Sequence, residues 1–451
     1  MRRANNAVVK MFRHLMTDSD AMMYRVRQQE NTMNFKKTLL AVSLTLVSQQ
    51  AFSAAFQLAE HSASGLGRAF AGDAAIAENA SVVARNPALM TQFDTMQLSV
   101  VATYVKPDVS LKGESAPYGL SADVLNDDSI APSAVIPAAY FTMPINDEFV
   151  IGFGAFSNFG LATEFNDDYA AGQLAGHTEI TTVNFNSSVA YRVSEAFSVA
   201  VGVNYIYADA AIKRHFGASP LPIPAQTEAV NLEGDDTGFG FNIGLAYDVK
   251  PGHRYGFHYR SETDITFDGT YSNQLPAQLG GLAGQSLPGS VAITLPAIAE
   301  FSGSHQLNSE YGLHYSILWT GWTSFDKLEA YVEGRDGPVF SKTEDFTSSF
   351  RVALGGDYQF NEALKLRAGL AYDESPAEQS HLSISIPDTN RLWLSAGLTY
   401  QLDAHSNIDV GMSALRGETQ NFTESDNLGQ AWGFESKGHA YLVGAQYNYQ
   451  F

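Results

Sequence analysis

Eleven histidines in a chain of 451 residues, with plentiful Ser, Asp and Glu, are raw material enough for a hydrolase or a metal centre. Their spacing supports neither. No Ser/His/Asp set falls in a recognisable context, and no close pair of histidines has metal-ligand spacing. His305 and His314 fall in one predicted strand, residues 305–319, but in separate parts of it, where solvent or a polar interior explains them. Gly65-Leu66-Gly67 invites a phosphate-loop reading, yet no strand precedes it and the third glycine is missing. Arg214, in AAIKRHFGA, and Lys342, in PVFSKTEDF, read from the residues alone as ordinary loop or rim charges. The residue types therefore predict no enzyme, no cofactor and no metal site.

The elements around these residues say more. Hydrophobic residues make up 45 % of the chain, yet the mean hydropathy is slightly negative, so they are dispersed rather than blocked. A helical membrane span needs about 20 consecutive apolar residues, and only residues 39–47 come near. Phe (28), Tyr (21) and Gly (38) favour strands and tight turns. The formal charge of -21 excludes nucleic acid as a partner, because phosphate binding needs clustered Lys and Arg. Cysteine is absent, as suits a chain exported through an oxidising compartment.

An export signal starts at Met33. Lys36 and Lys37 form its basic region, residues 39–47 its apolar core, and Ala51 and Ser53 the small residues before a cut after Ser53. Residues 1–32 are polar, precede a better start and are read as a non-native extension. Taking away residues 1–53 removes eight basic and three acidic residues, which leaves a net charge of -26.

From about Leu98 onward apolar and polar residues alternate in segments of about ten, separated by polar turns. Tyr441, Val443, Ala445, Tyr447 and Tyr449 oppose Gly444, Gln446, Asn448 and Gln450; Val199, Val201, Val203 and Tyr205 oppose Gly202 and Asn204. One face suits lipid and the other a wet lumen. A soluble sandwich also alternates. Aromatic residues near strand ends, a final strand closing on Phe451 and the export signal favour the barrel. The fold class is thus all-β, a transmembrane antiparallel barrel of about 14 strands over residues 96–451. Its connections sort into short turns, as at 144–147 and 361–362, and long outer loops at 108–132, 164–179, 216–236 and 271–287. The last loop holds AQLGGLAGQSL, apolar enough either to collect a greasy ligand or to pack on its neighbours. Residues 54–95 do not alternate; they are small, helical and loop-like, and read as a plug inside the lumen.

These residues also resemble a known family. The pattern AxFQLxExSxSGLGRAxxGxxAIAxxAxxxxRNPAL at residues 54–89 resembles the N-terminal hatch of the long-chain fatty acid transport family, FadL. The likeness continues through GLATEFNDDYAAG at 160–172, HRYGFHYRSE at 253–262, SISIPDTNRLWLSAG at 383–397 and FESKGHAYLVGAQYNYQF at the end. It implies a monomeric barrel in the bacterial outer membrane, surrounded by outer-membrane lipids, that passively takes up long-chain fatty acids. Capture at the outer loops, transfer to a pocket near the mature N-terminus and sideways release through a kinked third strand follow from the same resemblance. By position, Arg214 and Lys342 match the basic residues that meet the carboxylate, and Ala55 and Phe56 match the pocket. Asn86, Pro87 and Ala88 match the hatch turn; Ser157, Asn158, Phe159 and Gly160 match the kink and lateral opening. A channel for aromatic or other neutral hydrophobic compounds is the alternative, and it would need no carboxylate partners. An open diffusion porin is disfavoured by the plug.

Overall fold

Residues that alternate in hydropathy along a strand must place their two faces in two media. The computed structural model describes residues 55–279 and 281–451; the predicted export signal and the extension before it lie outside the described residues. The chain forms β1 (Gln97–Ser115), β2 (Ala134–Pro144), β3 (Phe149–Phe156), β4 (Gly160–Glu164), β5 (Gly176–Arg192), β6 (Phe197–His215) and β7 (Glu228–Lys250). Then follow β8 (His253–Arg260), β9 (Thr263–Ser272), β10 (Ser286–Leu295), β11 (Ile298–Gln306), β12 (Tyr311–Thr320), β13 (Lys327–Val332) and β14 (Phe340–Thr343). The last are β15 (Ser349–Gln359), β16 (Leu364–Asp373), β17 (Arg391–Gln401), β18 (Ser406–Gly417), β19 (Gln420–Ser425) and β20 (Ala431–Gln450).

Pairing runs antiparallel through β1, β2, β3, β5, β6, β7 and β8, then β11, β12, β15, β16, β17, β18 and β20. Gln97 to Ser115 of β1 then pair with β20, which closes the circuit at fourteen strands. Closure joins the sheet to itself, so the wall meets its backbone groups by pairing between neighbouring strands rather than leaving an open edge along its length, apart from one gap described below. β4, β9, β10, β13, β14 and β19 continue or supplement the wall at the long-loop end.

The two faces separate as the pattern requires. Val201, Phe239 and Leu394 are 63 %, 70 % and 63 % exposed on the outside, in a belt with Val203, Phe241, Leu370 and Val443. Inward positions Ser99, Thr103, Asn186, Asn204 and Asn242 are buried. Rings cluster near the short turns: Phe149 stacks on Tyr191 at 4.7 Å and Tyr311 on Tyr358 at 4.9 Å. Such rings pair an apolar body with a polar tip and suit the membrane interface.

Two expectations need correction. The strand predicted over 305–319 is two strands: β11 ends at Gln306, β12 begins at Tyr311, and Ser304 stands opposite His314. Asn308 makes that turn by accepting the backbone N–H groups of Glu310 and Tyr311 at 2.8 and 2.9 Å, which a period-two reading does not see. Residues predicted as loop at 108–115 and 228–236 are strand. In the apolar loop, Leu282 and Leu287 pack on a cluster of Ile212, Leu232, Tyr271 and Val332.

Residues 55–96 fill the lumen. They fold into α1 (Ala63–Leu66), α2 (Val82–Arg85) and a 3₁₀ turn (Pro87–Gln92). Ser62 caps α1 by accepting the Gly65 N–H at 3.0 Å. Wall glycines let this segment approach: a Cβ on Gly369 would stand 2.0 Å from the Arg68 carbonyl oxygen, and one on Gly256 1.7 Å from that of Ala74. Ion pairs tie the remainder: Arg68 meets Glu78 at 2.8 Å, and Arg367 of β16 meets Glu78 at 3.1 Å.

Candidate functional site

The plug and the wall meet at the third strand. β3 stays paired to β5 as far as Phe156 opposite Asn184, and β4 resumes with Gly160 opposite Thr181. Ser157, Asn158 and Phe159 thus face only Thr182 and Val183, a one-residue bulge that bends the strand inward. β2 pairs with β3 only over residues 139–144, so above Ala139 the wall strand loses its neighbour.

The first plug residues take up the freed backbone. Leu58 N–H donates to the Asn158 carbonyl and Gly160 N–H to the Phe56 carbonyl, both at 2.7 Å, and Gln57 forms a β-bridge with Phe159. Side chains complete the corner. Ser157 Oγ donates to the Thr182 carbonyl at 2.6 Å, and Thr182 Oγ1 donates to the Phe159 carbonyl at 2.7 Å. Ser157, Asn158, Phe159 and Gly160 therefore do sit together at a kink, stitched to the N-terminal segment.

Above this corner lies an apolar chamber. Phe56 places its ring edge-on to Trp322 at 4.6 Å and to Phe325 at 5.0 Å, with Phe159 at 5.9 Å. Ala55, Leu161, Ile180, Ile293 and Ile386 extend the same buried cluster. An apolar cavity opens among Phe56, Leu161, Ile180, Ile212, Phe267 and Phe325.

Charge sits at the chamber's upper edge. Arg214, near the end of β6, is buried and donates to the His177 carbonyl at 3.0 Å, Thr178 Oγ1 at 3.0 Å and Ser385 Oγ at 2.9 Å. All of these acceptors are neutral. Among the described residues no carboxylate lies within ion-pair distance of Arg214. Lys342, on β14, pairs with Glu424 of β19, and the other Glu424 oxygen accepts the Ile384 N–H at 3.1 Å. Glu344 follows in the link to β15; burial pushes its carboxyl up to about 7, Lys342 opposing and Glu424 adding to the effect.

Asn86, Pro87 and Ala88 lie far from this chamber, at the plug's anchor on β7. Asn86 donates to the carbonyls of Ala74 at 2.6 Å and Leu245 at 2.8 Å, and accepts the Ala88 N–H at 3.1 Å. Pro87 opens the 3₁₀ turn, where its missing N–H is no loss. Three residues of the chamber's charged edge, Ser385, Glu344 and Glu424, escape sequence reasoning. Glu344 and Glu424 lie in polar stretches that give a buried acid no local signature, whereas Ser385 lies within the SISIPD motif.

A closed fourteen-strand wall, a lumen plug and a kinked third strand form a combination that comparison with known proteins can place. The pattern of the outer membrane protein transport proteins (OMPP1/FadL/TodX) matches residues 44–451. The chain belongs to this family. The long-chain fatty acid transport protein of Escherichia coli O6:H1 is 42 % identical over 446 residues, covering 92 % of this chain and 99 % of its own. The 47 kDa outer membrane protein of Pasteurella multocida is 43 % identical, covering 93 % and 99 %. Among solved structures, a Pseudomonas aeruginosa FadL homologue has a TM-score of 0.79 at 22 % identity, covering 88 % of this chain and all of its own. The Pseudomonas putida toluene transporter TodX has a TM-score of 0.67 at 14 % identity, covering 89 % and 99 %. These two likenesses speak for the fold. The exposed apolar belt of this FadL-family barrel is its outer-membrane surface.

Proposed function

We propose that the chain carries long-chain fatty acids passively inward across the outer membrane. One observation carries the reading: a buried guanidinium, that of Arg214, donates to Thr178, which lines the apolar cavity, and has no acid at ion-pair distance among the described residues. An acyl chain leaving water gains about 0.8 kcal/mol per buried CH₂, and its carboxylate then needs a cationic partner in a dry site. Arg214 supplies one, and Lys342 a second once it shares or releases Glu424. The relatives named as long-chain fatty acid transport proteins support the same substrate class.

The route follows from the chamber's neighbours. The ligand is captured at the outer loops and descends to the pocket at Ala55 and Phe56. Movement of the N-terminal segment frees the kink at Ser157, Asn158, Phe159 and Gly160, and the lipid leaves sideways into the bilayer. The plug held by Asn86, Pro87 and Ala88 keeps the lumen shut to water. The barrel acts as a monomer in contact with outer-membrane lipids, without cofactor and without catalysis.

The test is labelled oleate uptake by cells that lack their own fatty-acid channel and express this chain. The unaltered protein is expected to restore uptake, and the Arg214→Ala/Lys342→Ala double variant to lose most of it. A well-inserted protein that moves no oleate would overturn the reading. Uptake of toluene instead would favour neutral hydrocarbons, the substrate named for the TodX structure.

A further inference from the structure

A second buried guanidinium lies on the other side of the kink. Gly160 stands opposite Thr181, which stands opposite Asp209 of β6. Arg214 is five positions further toward the long-loop end of β6. Arg260, the last residue of β8, stands opposite Asn242, which is opposite Gly202, seven positions the other way. The opening thus lies between the two arginines.

Arg260 is buried, and among the described residues no carboxylate lies within ion-pair distance of it. Its hydrogen bonds go to neutral oxygens: Nη1 donates to Asn204 Oδ1 and Nη2 to the Ala84 carbonyl at 2.9 Å, while Nε has no acceptor. A guanidinium held dry with neutral partners and a spare N–H is suited to a carboxylate.

What covers it is the kink itself. The ring of Phe156, the last residue of β3 before the bend, lies 5.2 Å from the Arg260 Cζ. The same ring meets His61 of the N-terminal segment at 5.2 Å and Tyr140 of β2 at 5.7 Å. A polar chain runs beside it: Asn184 Nδ2 donates to Asn158 Oδ1 at 3.0 Å and to Asn204 Oδ1 at 3.1 Å, and Asn204 Oδ1 is the oxygen that Arg260 holds. Phe156 and Asn158 thus tie the kink to the surroundings of the Arg260 guanidinium.

We propose that Arg260 is a second station for the substrate carboxylate, uncovered when Phe156 moves and occupied as the lipid turns from the chamber into the opened wall. This rests on the fatty-acid reading above. A carboxylate leaving Arg214 would otherwise cross the corner with no cation to pair with, and Arg260 gives it one on the far side. Phe156 acts as the shutter. In the closed protein its ring face partners the cation, and in the open one the carboxylate replaces it.

The experiment compares uptake of oleate with uptake of oleyl alcohol, which has the same tail and no charge, in the unaltered protein, Arg260→Gln and Arg260→Lys. Arg260→Gln is expected to slow oleate about fivefold or more, to leave oleyl alcohol unchanged, and to bind oleate in the purified, detergent-held barrel as the unaltered protein does. Arg260→Lys keeps the charge and is expected to keep most oleate uptake. Equal loss of both substrates would mean a structural role and overturn the inference, as would unchanged oleate uptake in Arg260→Gln. Should Arg260→Gln fail to insert, Arg260→Met is measured in its place with the same two expectations. Failure of the unaltered protein to move oleate would instead count against the proposed function, so the two failures are distinguishable.

Discussion

Gly67 of the plug and Gly397 of β17 meet backbone to backbone: a Cβ built on Gly67 would stand 2.9 Å from the Gly397 Cα, and one built on Gly397 2.8 Å from the Gly67 Cα. Backbone cannot swing aside as a side chain can, so a larger residue at either position must push the plug off the wall. Overpacking of this kind costs about 1–3 kcal/mol. Gly397→Val is expected to leave the barrel inserted while amide exchange of residues 63–70 accelerates and leakage of small solutes rises. Gly67→Val should do the same, and the double variant should add little, because the two share one contact. Unchanged exchange in the single variants would mean the plug is not held by this contact.

Arg214 and Lys342 differ in what surrounds them, so their variants should differ too. Removing a charge-assisted hydrogen bond costs about 1.5–3 kcal/mol, and Arg214→Gln is expected to weaken oleate binding by about 10- to 100-fold with little loss of stability. Lys342→Met leaves Glu424, which is 7 % exposed, without its cation, and that is destabilising. The double variant Lys342→Met/Glu424→Gln should regain stability but not affinity. Denaturant unfolding in vesicles and oleate titration read the two effects separately. Recovery of affinity in the double variant would remove Lys342 from the site.

How far the sequence reaches is clear from particular residues. Val199, Val201, Val203 and Tyr205 announce their lipid face because lipid demands an apolar side chain at every second position. Above the membrane that demand ends: on strand β7 the alternation of Val230 and Leu232 with Asn231 and Glu233 gives way to Gly234, Asp235 and Asp236, so the stretch reads as loop. The kink residues are legible only through their family motif, since a one-residue bulge leaves no mark on periodicity. Glu424 meets Lys342 across 82 residues of chain, a contact that only the closed wall creates. The wall glycines are a signal that was open to reading: Gly244, Gly256, Gly369 and Gly397 all take inward positions, where plug backbone needs room.

Glu344 makes the chamber sensitive to pH. Its carboxyl, 2 % exposed, is pushed up to about 7 from 4.5, first by loss of hydration, with Lys342 and Arg214 opposing and Glu424 adding. Between about pH 4.5 and 7 the unfolded chain has released this proton while the folded chain keeps it, so this group's contribution to stability falls as pH rises through that window and levels off above it. Binding has the same sign. An ionised Glu344 repels an anionic headgroup at Lys342, so affinity falls as pH passes about 7. Hexadecyl sulfonate, which stays ionised throughout, isolates the effect; its affinity should drop roughly three- to tenfold across the transition, a modest like-charge penalty. Glu344→Gln should flatten the profile, and an unchanged slope in that variant would assign the titration elsewhere.

The kink allows the sharpest separation of binding from passage. Three residues, Ser157, Asn158 and Phe159, oppose two on β5, and the excess residue bends the strand. Deleting Ser157 restores equal counts, so β3 should run straight into β4 without shifting the pairing of Phe156 with Asn184 or of Gly160 with Thr181. The straight strand would also meet β2 above Ala139, which closes the wall where it now lacks a neighbour. Phe159 and Leu161 stay in the chamber's wall, and its other side, around Trp322, Phe325 and Arg214, is built from other elements and should survive. The deletion variant is therefore expected to bind oleate within about threefold of the unaltered protein, a change of less than 1 kcal/mol, and to lose nearly all uptake. Uptake that persists in a variant shown to bind oleate and to form the closed barrel would mean that the lipid leaves by another path, through the plug toward the short-turn end, and the sideways route would have to be abandoned.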